Sequence, residues 1–384
     1  MSAWRVVYDL RGTQSIGGGM RHGGGEYSQS VVSRIAETGR LDSIAFLGDR
    51  RLPGNDYTAF VTDVLGMTLH EADDLRGDAR ASSSTYYSPL PYRTGDSRIG
   101  QRTVMTIHGL RSIELPTDSL EHRYRRFQDW PRVVAKRVLA SRYRGRRVGD
   151  FRRLIDVCDE IVVPSEHSQH ALYLHVPESL EKPVHVMFSP ATPVMSTRPA
   201  AAFDCSEYGL TKQRYLLVVS AGRFEKNALR VMRAMHRVEQ AYPSLTRTFK
   251  LALAGGKPRY VRARELPDSA TFLPYLDVGA LAGLYRDAGC LVYPTLNEGF
   301  GYPPVEALTH GTPSIVSAVC SLPELLGDAC TFVNARDELE LANRLLTFML
   351  APVETLSPEM AARLAAIRAR QEQDLERLLE LLWA

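Results

Sequence analysis

The sequence predicts an α/β fold with two parallel-sheet domains. Strand-like apolar runs alternate with helical patterns through both halves, the arrangement in which helices cover a parallel sheet. The pattern starts afresh at Arg214, after a stretch (189–212) rich in Pro, Ala and Thr that reads as a linker. A length of 384 residues, 44% hydrophobic and 24% charged, is enough for two buried cores of ordinary composition.

In chain order, the apolar runs at 4–10, 43–47, 103–108, 160–164 and 184–188 read as strands of the first half. Helical spacing marks 26–37, 122–142 and 166–175, and Ser165 suits an N-cap of the last of these. The second half continues with a strand at 214–220, a helix at 228–242 and a strand at 250–254. A helical stretch at 280–288 then leads into the strand 290–294, and a further apolar strand lies at 314–316. After Pro358, Met360, Leu364, Ile367, Leu375, Leu378, Leu379 and Leu382 follow one helical stripe, interrupted by Gln371. No internal repeat or low-complexity segment is visible.

Composition excludes several classes. The formal net charge of +3 does not by itself imply a nucleic-acid binder. No run of about 18 apolar residues offers a membrane span, and the opening residues lack a signal-peptide pattern. Five cysteines without a Cys-x-x-Cys pair read as reduced core residues of a cytoplasmic protein, not a zinc site.

Residues 297–306, Asn-Glu-Gly-Phe-Gly-Tyr-Pro-Pro-Val-Glu, carry the strongest chemical signal. Pro303 and Pro304 suit a helix start, where a missing N–H costs nothing. Gly299 and Gly301 let backbone approach a ligand closely, and a helix N-terminus favours an anion. Glu298 and Glu306 add two carboxylates for hydroxyls, so a sugar nucleotide fits. After it come Gly311-Thr312-Pro313, the apolar strand, Pro323-Glu324 and Gly327-Asp328-Ala329. Over about 284–337 this sequence resembles the donor-binding half of family 4 of the retaining glycosyltransferases. Its hallmark, two glutamates separated by seven residues around Gly-Phe-Gly, is reproduced by Glu298 and Glu306.

The resemblance implies the glycosyltransferase-B architecture, two Rossmann-like domains facing across a cleft. Residues 1–195 would form the acceptor-side domain and 205–355 the nucleotide-sugar domain. The helix in 356–384 would return to pack on the first. The resemblance assigns Arg223 and Lys226 to the donor diphosphate, although many members place four residues between them and this chain has two. It assigns Glu306 to the nucleotide ribose and Glu298 to the hydroxyls of the transferred sugar. Gly24, Gly25, Gly299, Phe300, Gly301 and Tyr302 would complete the donor site, with Gly17, Gly18 and Gly19 in the same first loop. His108 would face the donor sugar, with Gly109 where the family commonly has Asp. Contacts to the base are expected near Leu273-Pro274-Tyr275, and a loop at 82–101 with Tyr86, Tyr87 and Tyr92 is expected on the acceptor side. No Asp-x-Asp occurs in the chain, so neither a metal nor another cofactor is expected.

Between Arg111 and Arg153, thirteen basic residues face five acidic ones, a balance of +8. Phe127, Trp130, Val133, Val134, Val138 and Leu139 interleave with them. The segment 123–153 is therefore either a peripheral membrane contact or a solvated helix face, with nucleic acid disfavoured.

The combined expectation is a retaining, metal-independent enzyme. It would move a sugar from a nucleoside diphosphate to a hydroxyl of a saccharide or lipid-linked saccharide, in bacterial surface-polysaccharide synthesis. The expected place is the cytoplasm or the inner face of its membrane. Transfer to a small soluble acceptor, a sugar-nucleotide epimerase and a catalytically silent partner protein are the alternatives.

Overall fold

The computed structural model describes residues 3–14, 22–92, 99–191, 203–352 and 357–384. Gly17, Gly18 and Gly19 and residues 192–202 of the linker lie outside them. The chain divides into two compact units. The first comprises Met1–Ile113, Gly145–Ser196 and Arg368–Ala384; the second comprises Glu114–Arg144 and Thr197–Ile367.

The sheet of the first unit has seven parallel strands: β1 (Val6–Asp9), β2 (Ile44–Leu47), β3 (Leu69–His70), β4 (Thr85–Ser88), β5 (Arg102–Thr106), β6 (Glu160–Val163) and β7 (Val184–Val186). Their order is β3-β2-β1-β4-β5-β6-β7. Both faces are buried, which is why these strands read as continuous apolar runs instead of alternating ones. On β1, Val7 joins one cluster with Leu47, Met105 and Ile161, while Val6 and Tyr8 join the opposite one with Phe46, Val104 and Val162.

The second unit carries six parallel strands: β8 (Tyr215–Val218), β9 (Lys250–Leu253), β10 (Ala270–Phe272), β11 (Cys290–Tyr293), β12 (Ser314–Ser317) and β13 (Thr331–Val333). They lie in the order β10-β9-β8-β11-β12-β13. Strand order reverses between β8 and β11, as it does between β1 and β4 in the first unit. Open parallel sheets bind ligands at the carboxyl ends of the strands beside such a reversal.

Several expectations need correction. The loop expected at 82–101 contains β4, a central strand. Tyr86 and Tyr87 are buried in it and so are not part of an exposed loop. Tyr87 hydrogen-bonds Thr106 across the sheet at 2.8 Å. Aromatic residues have strand propensity, but four residues flanked by serines give no periodicity to read. The helix expected at 122–142 breaks into short turns followed by helices at Trp130–Val138 and Ala140–Val157. The helix expected from Glu26 starts earlier, at Gly23, because the His22 side chain accepts the Gly25 N–H at 3.0 Å and caps it.

Residues 114–144, expected within the first domain, cluster with the second unit. Tyr124 is buried in the second sheet's core with Leu229 and Met232, and its hydroxyl accepts the Leu229 N–H at 2.9 Å. Arg123 pairs with Glu265 at 2.6 Å, both nearly buried. Burial pushes the Glu265 carboxyl up, but bonds from Arg123, Arg262 and Arg233 outweigh it and hold it at about 2. The ion pair persists at neutral pH, so this arm is fixed by charge as well as by packing.

The helix Pro358–Trp383 belongs to the second unit through Ile367 and to the first unit beyond it. Leu375, Leu378, Leu379 and Leu382 complete the cluster around Val6 and Tyr8. Gln371, which interrupts the stripe, is buried and donates to the Ser189 carbonyl at 2.6 Å. Asp374 is buried too, accepting the Phe188 N–H at 2.9 Å and pairing with Arg377 at 2.8 Å. A polar group inside an apolar stripe is tolerated because each is satisfied.

Candidate functional site

The loops after β8 and β11 leave neighbouring strands at the reversal of the second sheet. The first carries Arg223 and Lys226 on a short 3₁₀ turn, Phe224–Lys226. The second carries Glu298 and runs into the helix Tyr302–Thr309. The two loops are tied together, since the Leu296 N–H donates to the Glu225 carbonyl at 2.8 Å. Asn227 closes the first loop in the left-handed region, at φ 64°. Its Nδ2 donates to the carbonyls of Pro294 at 3.0 Å and Ala335 at 2.6 Å. Asparagine tolerates that backbone and supplies both donors, so it fixes the loop against two strand ends.

Lys226 and Glu298 meet. The Lys226 ammonium donates to Glu298 Oε1 and to the Tyr293 hydroxyl. The Tyr293 hydroxyl donates in turn to Glu298 Oε1 at 2.7 Å, and Thr295 Oγ1 reaches the same oxygen at 2.9 Å. The side chains of Lys226 and Glu298 are only 7% and 14% exposed, so the charges interact with little screening. Burial pushes the Glu298 carboxyl up, but the Lys226 charge and the three hydrogen bonds outweigh it and hold it below the usual carboxylate range. Glu298 is thus ionised at neutral pH. All its side-chain bonds fall on Oε1, and Oε2 carries none among the described residues. The ammonium has three donors, two of them used.

Arg223 stands at the rim. Its guanidinium is 45% exposed and pairs with Glu225, with Nε at 2.8 Å. Gly301 caps the helix Tyr302–Thr309 at φ 110°, and a Cβ there would come within 2.5 Å of Leu322 Cδ2. That position is closed to other residues on both counts. The first turn has two N–H groups in place of four, because Pro303 and Pro304 have none. Phe300 is buried, and its carbonyl accepts from Ser321 Oγ at 2.7 Å, so its ring is part of the loop's support. Its ring packs edge-on to that of the partly exposed Tyr302, with centroids 5.3 Å apart. Gly299 is likewise partly exposed. Glu306 lies one turn into the helix, half-buried beside Tyr285. Burial first, and then the Glu306 charge, push the Tyr285 phenol well up.

In the first unit, His108 follows β5. Its Nε2 lies 2.7 Å from the Pro89 carbonyl, and its ring packs edge-on to Tyr27 at 4.8 Å. A carbonyl only accepts, so Nε2 carries the proton and Nδ1 is an acceptor. Burial lowers the imidazole to about 4, so it is neutral at pH 7. Gly24 and Gly25 lie in the first turn of the helix Gly23–Glu37. A Cβ on Gly25 would meet the Tyr57 ring at 2.1 Å, which gives this glycine a packing role.

Within the second unit, the expected donor-site residues Arg223, Lys226, Glu298, Gly299, Phe300, Gly301, Tyr302 and Glu306 all lie on these two adjacent loops and the helix that follows. His108, Gly24 and Gly25 belong to the first unit. Sequence reasoning missed Tyr293, Thr295 and Asn227. Tyr293 reads as the last apolar residue of a strand, and only its hydroxyl's partners separate it from core.

Residues 206–366 match the family described as glycosyl transferases group 1. The O-antigen chain mannosyltransferase RfbU of Salmonella typhimurium strain LT2 is 34% identical over 127 residues, covering 33% of this chain and 36% of that protein. The match thus spans about a third of this curated relative. Among solved structures, sucrose-phosphate synthase from Thermosynechococcus elongatus superposes with a TM-score of 0.69 at 16% identity, covering 98% of both chains. Anabaena HepE, described in complex with UDP and glucose, gives 0.65 at 11% identity and covers 99% of both. The fold is therefore that of the glycosyltransferase-B enzymes, two Rossmann-like α/β domains.

Proposed function

We propose that this protein is a retaining, metal-independent glycosyltransferase. It takes a sugar from a nucleoside diphosphate sugar and transfers it to a hydroxyl of a saccharide or lipid-linked saccharide. Likeness to an O-antigen mannosyltransferase supports bacterial surface-polysaccharide synthesis as the pathway. The observation that carries the reading is the Lys226–Glu298 pair at the strand reversal, with one ammonium donor and one carboxylate oxygen left over.

In the reaction the bond from the sugar's anomeric carbon to the diphosphate oxygen breaks, and a bond to the acceptor oxygen forms on the same face. The acceptor's proton goes to the departing diphosphate. Negative charge grows on that diphosphate, where Lys226 and the more exposed Arg223 supply positive charge. The ionised Glu298 accepts hydrogen bonds from sugar hydroxyls through Oε2 and holds Lys226 in place through Oε1. Glu306 accepts from the ribose. Neutral His108 offers Nδ1 to a donor-sugar hydroxyl. No step calls for a metal or cofactor, because these cations already serve the leaving group.

A panel of sugar nucleotides with candidate acceptors tests this. Lys226→Ala should lower turnover at saturating donor by on the order of 100-fold or more, since the charge it meets develops in the transition state. Excess EDTA should leave transfer intact. Near-normal turnover of Lys226→Ala, loss of transfer in chelator with rescue by magnesium, or conversion of the sugar nucleotide without any acceptor would each overturn the corresponding part.

A further inference from the structure

The arm 114–144 of the second unit ends in a helix, Trp130–Val138, with no buried residue. Its apolar side chains share one face. Phe127 is 69% exposed, Val134 58%, Val138 76% and Leu139 45%, and with Trp130 and Pro131 they form one continuous apolar surface. The spacing of three and four residues is that of a core-facing stripe, yet this stripe faces outward. The same segment carries the exposed arginines Arg125, Arg126, Arg132, Arg137, Arg142 and Arg144; Arg125 lies over the Phe224 ring and pairs with Glu121 at 3.6 Å, and Arg132 falls on the side of the helix away from Val134. Asp129 is the single acid between Arg125 and Arg144. The helix is held at its root. The Trp130 ring packs edge-on to Tyr260 at 5.5 Å, and the Phe127 N–H donates to the Tyr260 hydroxyl at 3.1 Å.

We propose that this face docks the second unit on an anionic lipid surface. An exposed apolar surface on a segment whose exposed charges are nearly all arginine is the signature of a helix lying in a membrane interface. The apolar face meets the acyl boundary while the long arginine stems extend to the headgroups. The charge favours an anionic partner. An acidic protein groove could take the same face, and binding to protein-free vesicles separates the two; nucleic acid would need the charge without the apolar surface. Arg123, inside the basic segment, takes no part, because it is spent on Glu265. The docking unit is the one that carries Lys226 and Glu298. This inference is independent of the transfer reaction, because its readout needs no turnover.

Vesicle sedimentation of the full chain decides it. Binding to phosphatidylcholine vesicles should require added phosphatidylglycerol and weaken steeply with salt. The triple variant Arg126→Glu, Arg137→Glu, Arg142→Glu should lower partitioning by on the order of 100-fold or more. Val134→Asp with Val138→Asp should also release the protein while leaving its melting temperature unchanged, since both residues are exposed. Equal binding to neutral and anionic vesicles, or none at low salt, overturns the proposal. So does full binding by the Val134→Asp, Val138→Asp variant, or a stable dimer that this variant dissolves.

Discussion

His108 shows how a single residue's setting fixes its chemistry. Its imidazole sits at about 4 in the fold, first because of burial, against about 6.5 in the unfolded chain. The unfolded state therefore binds more protons between those values, and stability falls as pH drops through them. The loss reaches up to about 3 kcal/mol once pH nears 4. His108→Gln keeps an N–H for the Pro89 carbonyl and removes the titration. Denaturant unfolding at a series of pH values should show a flatter acid limb in the variant. Superimposable limbs would mean that another group titrates there. The same burial leaves His108 an uncharged acceptor at neutral pH, which suits binding a hydroxyl and not binding a phosphate.

Among the elements, the helix Tyr302–Thr309 depends on a glycine that the backbone requires. Gly301→Ala places a side chain at φ 110° and against Leu322, and should destabilise by about 1–3 kcal/mol. Gly145→Ala is the matched control. It lies inside the helix Ala140–Val157 with nothing within 4 Å of an added Cβ. Alanine there should stabilise by up to about 1 kcal/mol, through helix propensity. Thermal melts of the two variants should shift in opposite directions. A Gly301→Ala protein as stable as the parent would show that the loop relaxes, and the close approach at the helix N-terminus would lose its explanation.

At the scale of the whole molecule, the final helix links the two units through the chain itself. Leu382 is fully buried in the cluster around Val6 and Tyr8. Leu382→Ala should cost about 2–5 kcal/mol, the range for a truncated buried leucine. The effect should be local. Amide exchange should quicken in β1 and β2 and stay unchanged in β8 and β11, whose core the leucine does not touch. Equal acceleration in both sheets would show that the units unfold together. Among the described residues no helix is long and apolar enough to cross a membrane.

The sequence by itself determined the α/β class, most of the strands, the loop-to-helix site at 298–306 and the spacing of its two glutamates. These are local properties. Apolar runs and helical stripes follow from burial of each element, and a glycine-proline junction follows from backbone sterics. Tertiary structure alone decided the rest. β4 was hidden because its tyrosines are polar-tipped and its run is four residues long, with its burial supplied by strands distant in sequence. The placement of 114–144 was decided by Tyr124 and by the Arg123–Glu265 pair, which joins residues 142 positions apart. The Lys226–Glu298–Tyr293 cluster needed the β8–β11 pairing to exist. Long-range contacts carry no periodicity along the chain, so only the folded sheet brings a lysine, a tyrosine and a glutamate to one point.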